Sequence, residues 1–286
     1  MKVQSAYKSS KDKERALASY ESFLSQWPVP YQARLINTSF GETHIIVSGS
    51  PQAKPLILLH GGGGNSTMWM YNIEALSKSF HVFAVDIIGE AGKSAGMRPS
   101  FKSEGHARWL KEVFDALGIS KAVVCGASLG GMLAHQFALQ YPQSVSSLVL
   151  LAPPSLFKMR PSFLFRAILA SVFPTSFFAR RFLHYISSKA SSFSEEAVKA
   201  FIIQFQAYKP NMDAIPIISD NDLLRLPSKT LVMLGENEVI YNPIAVASRI
   251  CSVTPSVAID IIPGAKHTIS VDQADLVNQK ILQFLG

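Results

Sequence analysis

Six short runs, almost wholly apolar, punctuate the chain: Pro55–Leu59, His81–Val85, Ala122–Cys125, Leu148–Leu151, Thr230–Leu234 and Val257–Ile262. They are short for helices and lack the polar/apolar alternation of a strand with one wet face, so they read as strands buried on both sides of a parallel sheet. Helical stretches alternate with them at about 66–78, 102–117, 130–141, 243–252 and 271–285. Parallel strands joined through helices require right-handed crossovers, which predicts an α/β fold with a mostly parallel, doubly wound sheet. Ahead of this pattern, Arg34–Ser39 and Thr43–Ser48 flank Gly41 and read as a hairpin. Residues 9–27 read as an amphipathic helix with Leu17, Tyr20, Leu24 and Trp27 on one face, Ser9 and Asp12 at its start, and Pro28 and Pro30 beyond its end. It is expected to pack across the main body; the alternative is a partner-binding arm.

One region breaks the alternation. Residues 153–210 contain no strand-like run, yet hold ten of the 18 Phe: 157, 163, 165, 173, 177, 178, 182, 193, 201 and 205. Two readings apply together: a small helical subdomain whose apolar core uses most of these rings, and a lid whose underside covers a site on the sheet. The expected division is a core of residues 1–152 and 211–286 with a lid at 153–210. The apolar stretch Phe163–Phe178 is broken by Arg166 and Pro174 and is too short to span a membrane. The polar N-terminus lacks the apolar segment of a signal peptide. No membrane partner is expected, and the setting is read as cytoplasmic. Two Cys, at 125 and 251, form no disulfide framework and no zinc pattern, and are expected to be reduced. The net charge of +7 invites a nucleic-acid reading, but basic residues cluster only at Lys2, Lys8, Lys11, Lys13 and Arg15, where Asp12 and Glu14 dilute them. No recognition module is present, so a solvated basic surface is expected and no nucleic-acid partner.

The chemistry centres on Gly126-Ala127-Ser128-Leu129-Gly130-Gly131, directly after one strand and opening a helix. GxSxG alone is a weak pattern; between strand and helix it describes the tight elbow that exposes a serine hydroxyl as a nucleophile. The amides of the new helix, Leu129 among them, favour developing negative charge. His60 is followed by four Gly and Asn65 after the strand 55–59. Such a run turns bare N–H groups toward a ligand and, with Leu129, can form an oxyanion hole. A phosphate loop is the rival, but the Lys-Ser/Thr of a Walker A motif and GxGxxG spacing are both missing. His60 itself reads as an architectural hydrogen bonder. His267, in the loop after the last strand, takes third place in the order Ser, acid, His; His44, His81, His106, His135 and His184 do not. The acid falls in Gly235-Glu236-Asn237-Glu238, after the strand 230–234, where either carboxylate can reach an imidazole. Asp220, Asp222, Asp260 and Asp272 read as caps or surface charges.

Taken in order and spacing, HGGGG at 60–64, Asp86-Ile-Ile-Gly89, GASLGG at 126–131, GENE at 235–238 and GAKH at 264–267 resemble the α/β-hydrolase superfamily over nearly the whole chain. Ser66-Thr-Met-Trp69, Asp86-Ile-Ile-Gly89 and Gly235-Glu-Asn-Glu-Val-Ile-Tyr241 are more narrowly similar to bacterial carboxylesterases of the naproxen-esterase type. The resemblance implies Ser128 as nucleophile, His267 as base and Glu238 as acid, with Gly62 and Leu129 supplying the oxyanion N–H groups. Glu238 stands where most of the superfamily carries Asp, and the Asp86 motif holds one residue more than D-x-x-G-x-G-x-S before Ser94. Gly63, Met68 and Trp69 are expected to wall the substrate pocket. The expected function is a serine carboxylesterase acting on esters of apolar or aromatic acids, with no metal and no cofactor. Carbon–carbon bond hydrolysis, or a ligand-binding signalling protein that keeps the triad, are the alternatives.

Overall fold

The computed structural model describes residues 5–286; Lys2, counted in the basic N-terminal cluster, lies outside them. Eight strands, β1 (Tyr31–Thr38), β2 (Gly41–Ser48), β3 (Lys54–Leu59), β4 (Phe80–Val85), β5 (Ala122–Ala127), β6 (Val145–Leu151), β7 (Thr230–Gly235) and β8 (Ala258–Ile262), form one sheet of order β1-β2-β4-β3-β5-β6-β7-β8. The hairpin β1–β2 and the β2–β4 pair are antiparallel; every pair from β4 to β8 is parallel. Each predicted strand is present, most displaced by one or two residues at an end.

The apolar runs are explained by the layers. In β3, Ile57 and Leu59 join the core on one face of the sheet while Leu56 and Leu58 join the other. A strand covered on both sides has no position left for a polar residue. On the first face lie α3 (Gly105–Ala116), α4 (Leu129–Gln140), the short α8 (Asp220–Leu224) and α9 (Pro243–Val253), contributing Trp109, Phe137, Leu223 and Ile250. On the second lie α2 (Met70–Ser77) and α11 (Ala274–Leu285), preceded by the single turn α10 (Ile269–Asp272), with Ile73, Leu76 and Ile281 inward. Among the described residues no helix is long and apolar enough to cross a membrane.

The N-terminal helix α1 (Ser10–Leu24) is capped by Ser9, whose Oγ accepts the Asp12 N–H at 3.1 Å. Tyr20, Leu24 and, past the helix end, Trp27 are buried as expected, while Leu17 is only half-buried. Between β6 and β7 the chain forms α5 (Pro161–Val172), α6 (Ser176–Ile186) and α7 (Glu195–Ala207). α1 lies against α7: Tyr7 and Tyr208 form an antiparallel bridge, flanked by Lys8 N–H to Ala207 O (3.0 Å) and Lys209 N–H to Ala6 O (2.8 Å). The segment 6–8 ahead of α1 is therefore fastened to the body.

The expectation that most of the ten Phe fill a helical core is corrected. That core consists of Ala179, Leu183, Ala190, Val198 and Ile202, and none of the ten rings is fully buried. Phe193, Phe201 and Phe205 pack against its edge and are only partly buried. The rings go instead to the two outer sides: Phe163, Phe182, Phe193, Phe201 and Phe205 toward a cavity, and Phe165, Phe173 and Phe177 toward solvent.

Candidate active site

Topology brings the motifs together. β3 has β4 on one side and β5 on the other, so the order of winding reverses there, and Leu59 of β3 stands level with Gly126 of β5. The Gly run after β3 and Ser128 after β5 thus rise side by side at a switch point, where open α/β sheets form their crevice. Ser128 has φ 50° and ψ −117°, a backbone state that a non-glycine residue adopts only where its surroundings enforce it. A Cβ on Gly126 would stand 2.2 Å from Gly130 O, and one on Gly130 would stand 2.2 Å from Leu59 O, so both positions require glycine. Ser128 N–H donates to Leu151 O (2.8 Å) and Gly130 N–H to His60 O (3.1 Å), tying the elbow to both flanking strands.

The structure brings the three candidate residues into one chain of contacts. His267 Nε2 lies 2.9 Å from Ser128 Oγ. His267 Nδ1 lies 2.9 and 3.1 Å from the two carboxylate oxygens of Glu238. With its proton on Nδ1, facing the carboxylate, the imidazole leaves Nε2 to accept from the serine hydroxyl. The Glu238 side chain is fully buried, and its Oε1 also accepts the N–H groups of Val239 (2.7 Å) and Ile240 (2.8 Å). Glu236, by contrast, is exposed and accepts the Gly264 N–H at 2.8 Å. It steadies the loop that carries His267 without reaching the ring.

Within the Gly run, donors can be assigned one by one. Gly61 N–H donates to Met68 Sδ (3.1 Å), Gly63 N–H to Glu90 Oε2 (2.6 Å) and Gly64 N–H to Gly61 O (3.1 Å). Among the described residues, the Gly62 and Leu129 N–H groups have no acceptor, and a Cβ on Gly62 would stand 3.5 Å from Leu129 Cβ. Two neighbouring backbone donors beside a serine hydroxyl suit an anion formed there. His60 is architectural as expected: fully buried, it accepts the Ile87 N–H on Nε2 (2.9 Å) and donates from Nδ1 to Gly61 O (2.8 Å). Burial lowers its pKa.

The Asp86 loop, with its extra residue, closes around that carboxylate. Asp86 accepts from the N–H groups of Ser66 (2.8 Å) and Lys93 (3.0 Å) and from His44 Nδ1 (3.1 Å), and Ser94 Oγ donates to its carbonyl (2.6 Å). Burial pushes this carboxyl up, but the His44 hydrogen bond and charge, His60 and the Lys93 amide outweigh it and hold it at about 2. Glu90, in the same loop, was missed by the sequence reading. It is buried at the cavity wall and accepts both Gly63 N–H and Tyr208 O–H (2.7 Å); burial raises its pKa. Gln204 Nε2 adds bonds to Gly63 O (3.2 Å) and Ala91 O (2.7 Å). The Gly run is therefore held from the end of α7.

A cavity of about 550 Å³ opens over Ser128 and His267. Gly63 and Met68 line it, but Trp69 does not: it is fully buried against the second face of the sheet. Asn65 caps a single turn over Ser66–Trp69, and consecutive residues of such a turn diverge, sending Met68 to the cavity and Trp69 to the core. α1, read as a packing element, supplies Ser19, Tyr20 and Phe23 to the wall. Asp272 is corrected too. It is no surface charge but fully buried, accepting from Ser187 Oγ (2.6 Å), Ser188 N–H (3.0 Å), Lys266 N–H (2.9 Å) and Thr268 Oγ1 (3.0 Å). Burial raises its carboxyl, but these four bonds outweigh that and lower it. It pins the His267 loop to the end of α6. Among the described residues no group of three or more His, Cys, Asp or Glu is gathered to hold a metal ion.

The α/β-hydrolase fold model matches residues 54–179. The chain is 35% identical to an uncharacterized carboxylesterase, nap, of Bacillus subtilis, covering 95% of this chain and 92% of that protein. It is 32% identical to carboxylesterase YbfK of the same organism, over 95% and 93%. The crystal structure of B. subtilis naproxen esterase (carboxylesterase NP) superposes with a TM-score of 0.90 at 33% identity, covering 98% of this chain and all of that one.

Proposed function

The chain belongs to the α/β-hydrolase family, and on that premise we propose that it is a serine carboxylesterase working through an acyl-enzyme on Ser128. The observation that carries this reading is the unbroken contact from Ser128 Oγ through the His267 ring to Glu238, beside the two unpaired N–H groups of Gly62 and Leu129. Ser128 Oγ attacks the ester carbonyl as its proton passes to His267 Nε2, and Glu238 stabilises the imidazolium. The carbonyl oxygen becomes an anion between the Gly62 and Leu129 N–H groups. Collapse of this intermediate breaks the C–O bond, and the alcohol leaves with the proton from His267. Water then repeats the sequence on the acyl-enzyme and frees the acid.

The substrates are small esters of apolar or aromatic acids, since Met68, Phe163, Phe182, Phe201 and Phe205 line the cavity and Glu90 is its buried carboxylate. α5–α7 act as the lid over this space. The same reading sets the enzyme in the cytoplasm, in keeping with two free thiols, the buried Cys125 and the exposed Cys251. The test is a panel of p-nitrophenyl esters with wild type and Ser128→Ala, paired with intact mass spectrometry after a fluorophosphonate. Turnover of at least one ester that Ser128→Ala abolishes, and one adduct on Ser128, are expected. Wild-type turnover no greater than the mutant's on every ester, with no adduct, would sink the reading.

A further inference from the structure

The α5–α6 pair is apolar on two sides. Its inner side, with Phe163, Ala167 and Phe182, lines the cavity. On its outer side Phe165, Ile168 and Val172 follow at spacings of three and four, and Phe173 and Phe177 extend the stripe into α6. The Phe178 ring joins these last two, at 5.9 and 5.4 Å between centroids. The five outer residues are 67%, 55%, 63%, 52% and 63% exposed. A surface helix ordinarily turns polar residues outward, and a contiguous apolar patch on the order of several hundred Å² marks an interaction surface.

The charge around the patch is one-sided. From residue 116 to residue 194 the chain has no Asp or Glu, while Lys158, Arg160, Arg166, Arg180, Arg181 and Lys189 fall on or beside these two helices, all exposed. Arg180 pairs with Glu195 at 3.2 Å, and Arg160 donates to the Glu238 carbonyl at 3.1 Å. Among the described residues Arg166 and Arg181 meet no carboxylate; they stack over Tyr185 (4.7 Å) and Phe177 (5.8 Å).

We propose that this face docks the protein peripherally on an anionic phospholipid bilayer. Phe, Ile and Val enter the boundary between headgroups and acyl chains, while the arginines lie at phosphate level, their stems along the apolar surface. No run in the sequence is long enough to span a membrane, on which ground no membrane partner is expected, but a helix lying in the interface needs no such length. A second copy of the chain suits the face less well, because a two-fold contact sets the same patch, and so the same uncompensated arginines, against itself.

Flotation of the full chain with phosphatidylcholine vesicles, with and without phosphatidylglycerol, tests this without any substrate, so it stands apart from the esterase reading. Binding to the anionic vesicles is expected to exceed the neutral ones by about tenfold or more and to weaken with salt. Arg181→Glu should lower it about fivefold or more, and the pair Phe165→Ser and Phe177→Ser should abolish it. Unchanged circular dichroism and melting temperature show that these surface variants are folded. Equal or absent binding to anionic vesicles overturns the proposal, as do variants that bind like wild type. A dimer in sedimentation velocity that Phe165→Ser dissolves, without vesicle binding, assigns the face to a second copy instead.

Discussion

Glu238 is the residue on which the proposed triad is most readily tested, because two carboxylates stand two positions apart. Only Glu238 reaches the ring, and its Oε1 is already held by the Val239 and Ile240 N–H groups. Glu238→Gln is expected to lower kcat by roughly 10³ to 10⁴, since an amide can hold the wrong imidazole tautomer. Glu238→Asp should recover part of the loss, its carboxylate falling about 1 Å short. Glu236→Gln should stay within a few-fold of wild type. Steady-state kinetics on one soluble ester decides; loss with Glu236→Gln and none with Glu238→Gln would move the acid by two residues. Ser128, His267 and the Gly run were legible in the sequence because each motif sits next to the strand that positions it. Glu90 was not. Its partners Gly63 and Tyr208 lie 27 and 118 residues away, and nothing local marks a loop carboxylate as one that holds a distant amide and a distant phenol together.

Among the elements, the loop after β8 depends on the inserted helices. Its His267 and Thr268 N–H groups donate to Ile186 O at 3.0 and 3.3 Å, and Asp272 draws Ser187, Ser188, Lys266 and Thr268 to one carboxylate. Asp272→Ala leaves several of these donors unsatisfied and is expected to cost about 2–4 kcal/mol, with kcat falling about tenfold as His267 loses its seat. Urea midpoints and kcat measured together check this; an unchanged midpoint would show the network to be ornamental. The inserted helices also set the acyl profile. Each methylene buried against Phe163 or Phe182 contributes about 0.8 kcal/mol, so kcat/KM should rise several-fold at each early step from acetate to hexanoate. A flat or falling series would refute an apolar acyl pocket. Strand and helix periods exposed the sheet, but they could not show which side of a helix faces what. Trp69 went to the core, Phe23 to the cavity and Phe165 to solvent, because those choices are made by elements distant in the chain.

Over the whole molecule, stability should follow two buried imidazoles. Burial pushes His106 and His135 down to about 4, so the folded protein keeps both neutral across a range in which the unfolded chain protonates them from about pH 6.5 downward. The unfolded state binds more protons in that window, and stability is lost as pH falls through it, by up to about 3 kcal/mol for each ring. Asp86, held at about 2, adds a further loss only below its unfolded value of 3.8. Urea midpoints between pH 7 and 5 should decline, and His135→Gln should flatten the curve; a level wild-type profile would contradict the burial argument. The seam between α1 and α7 has a different consequence, one of time. Phe23 leaves the ribosome roughly 180 residues before Phe201, another ring of the same cavity wall, which at 5–20 residues per second is about 10–35 s. Through that interval the side of the N-terminal segment that carries Ala6, Tyr7 and Ala16 lacks its cover from Ala207 and Tyr208, and a protease pulse on stalled chains should cut there until α7 has emerged. The nascent chain thus carries an open wall long before it carries His267.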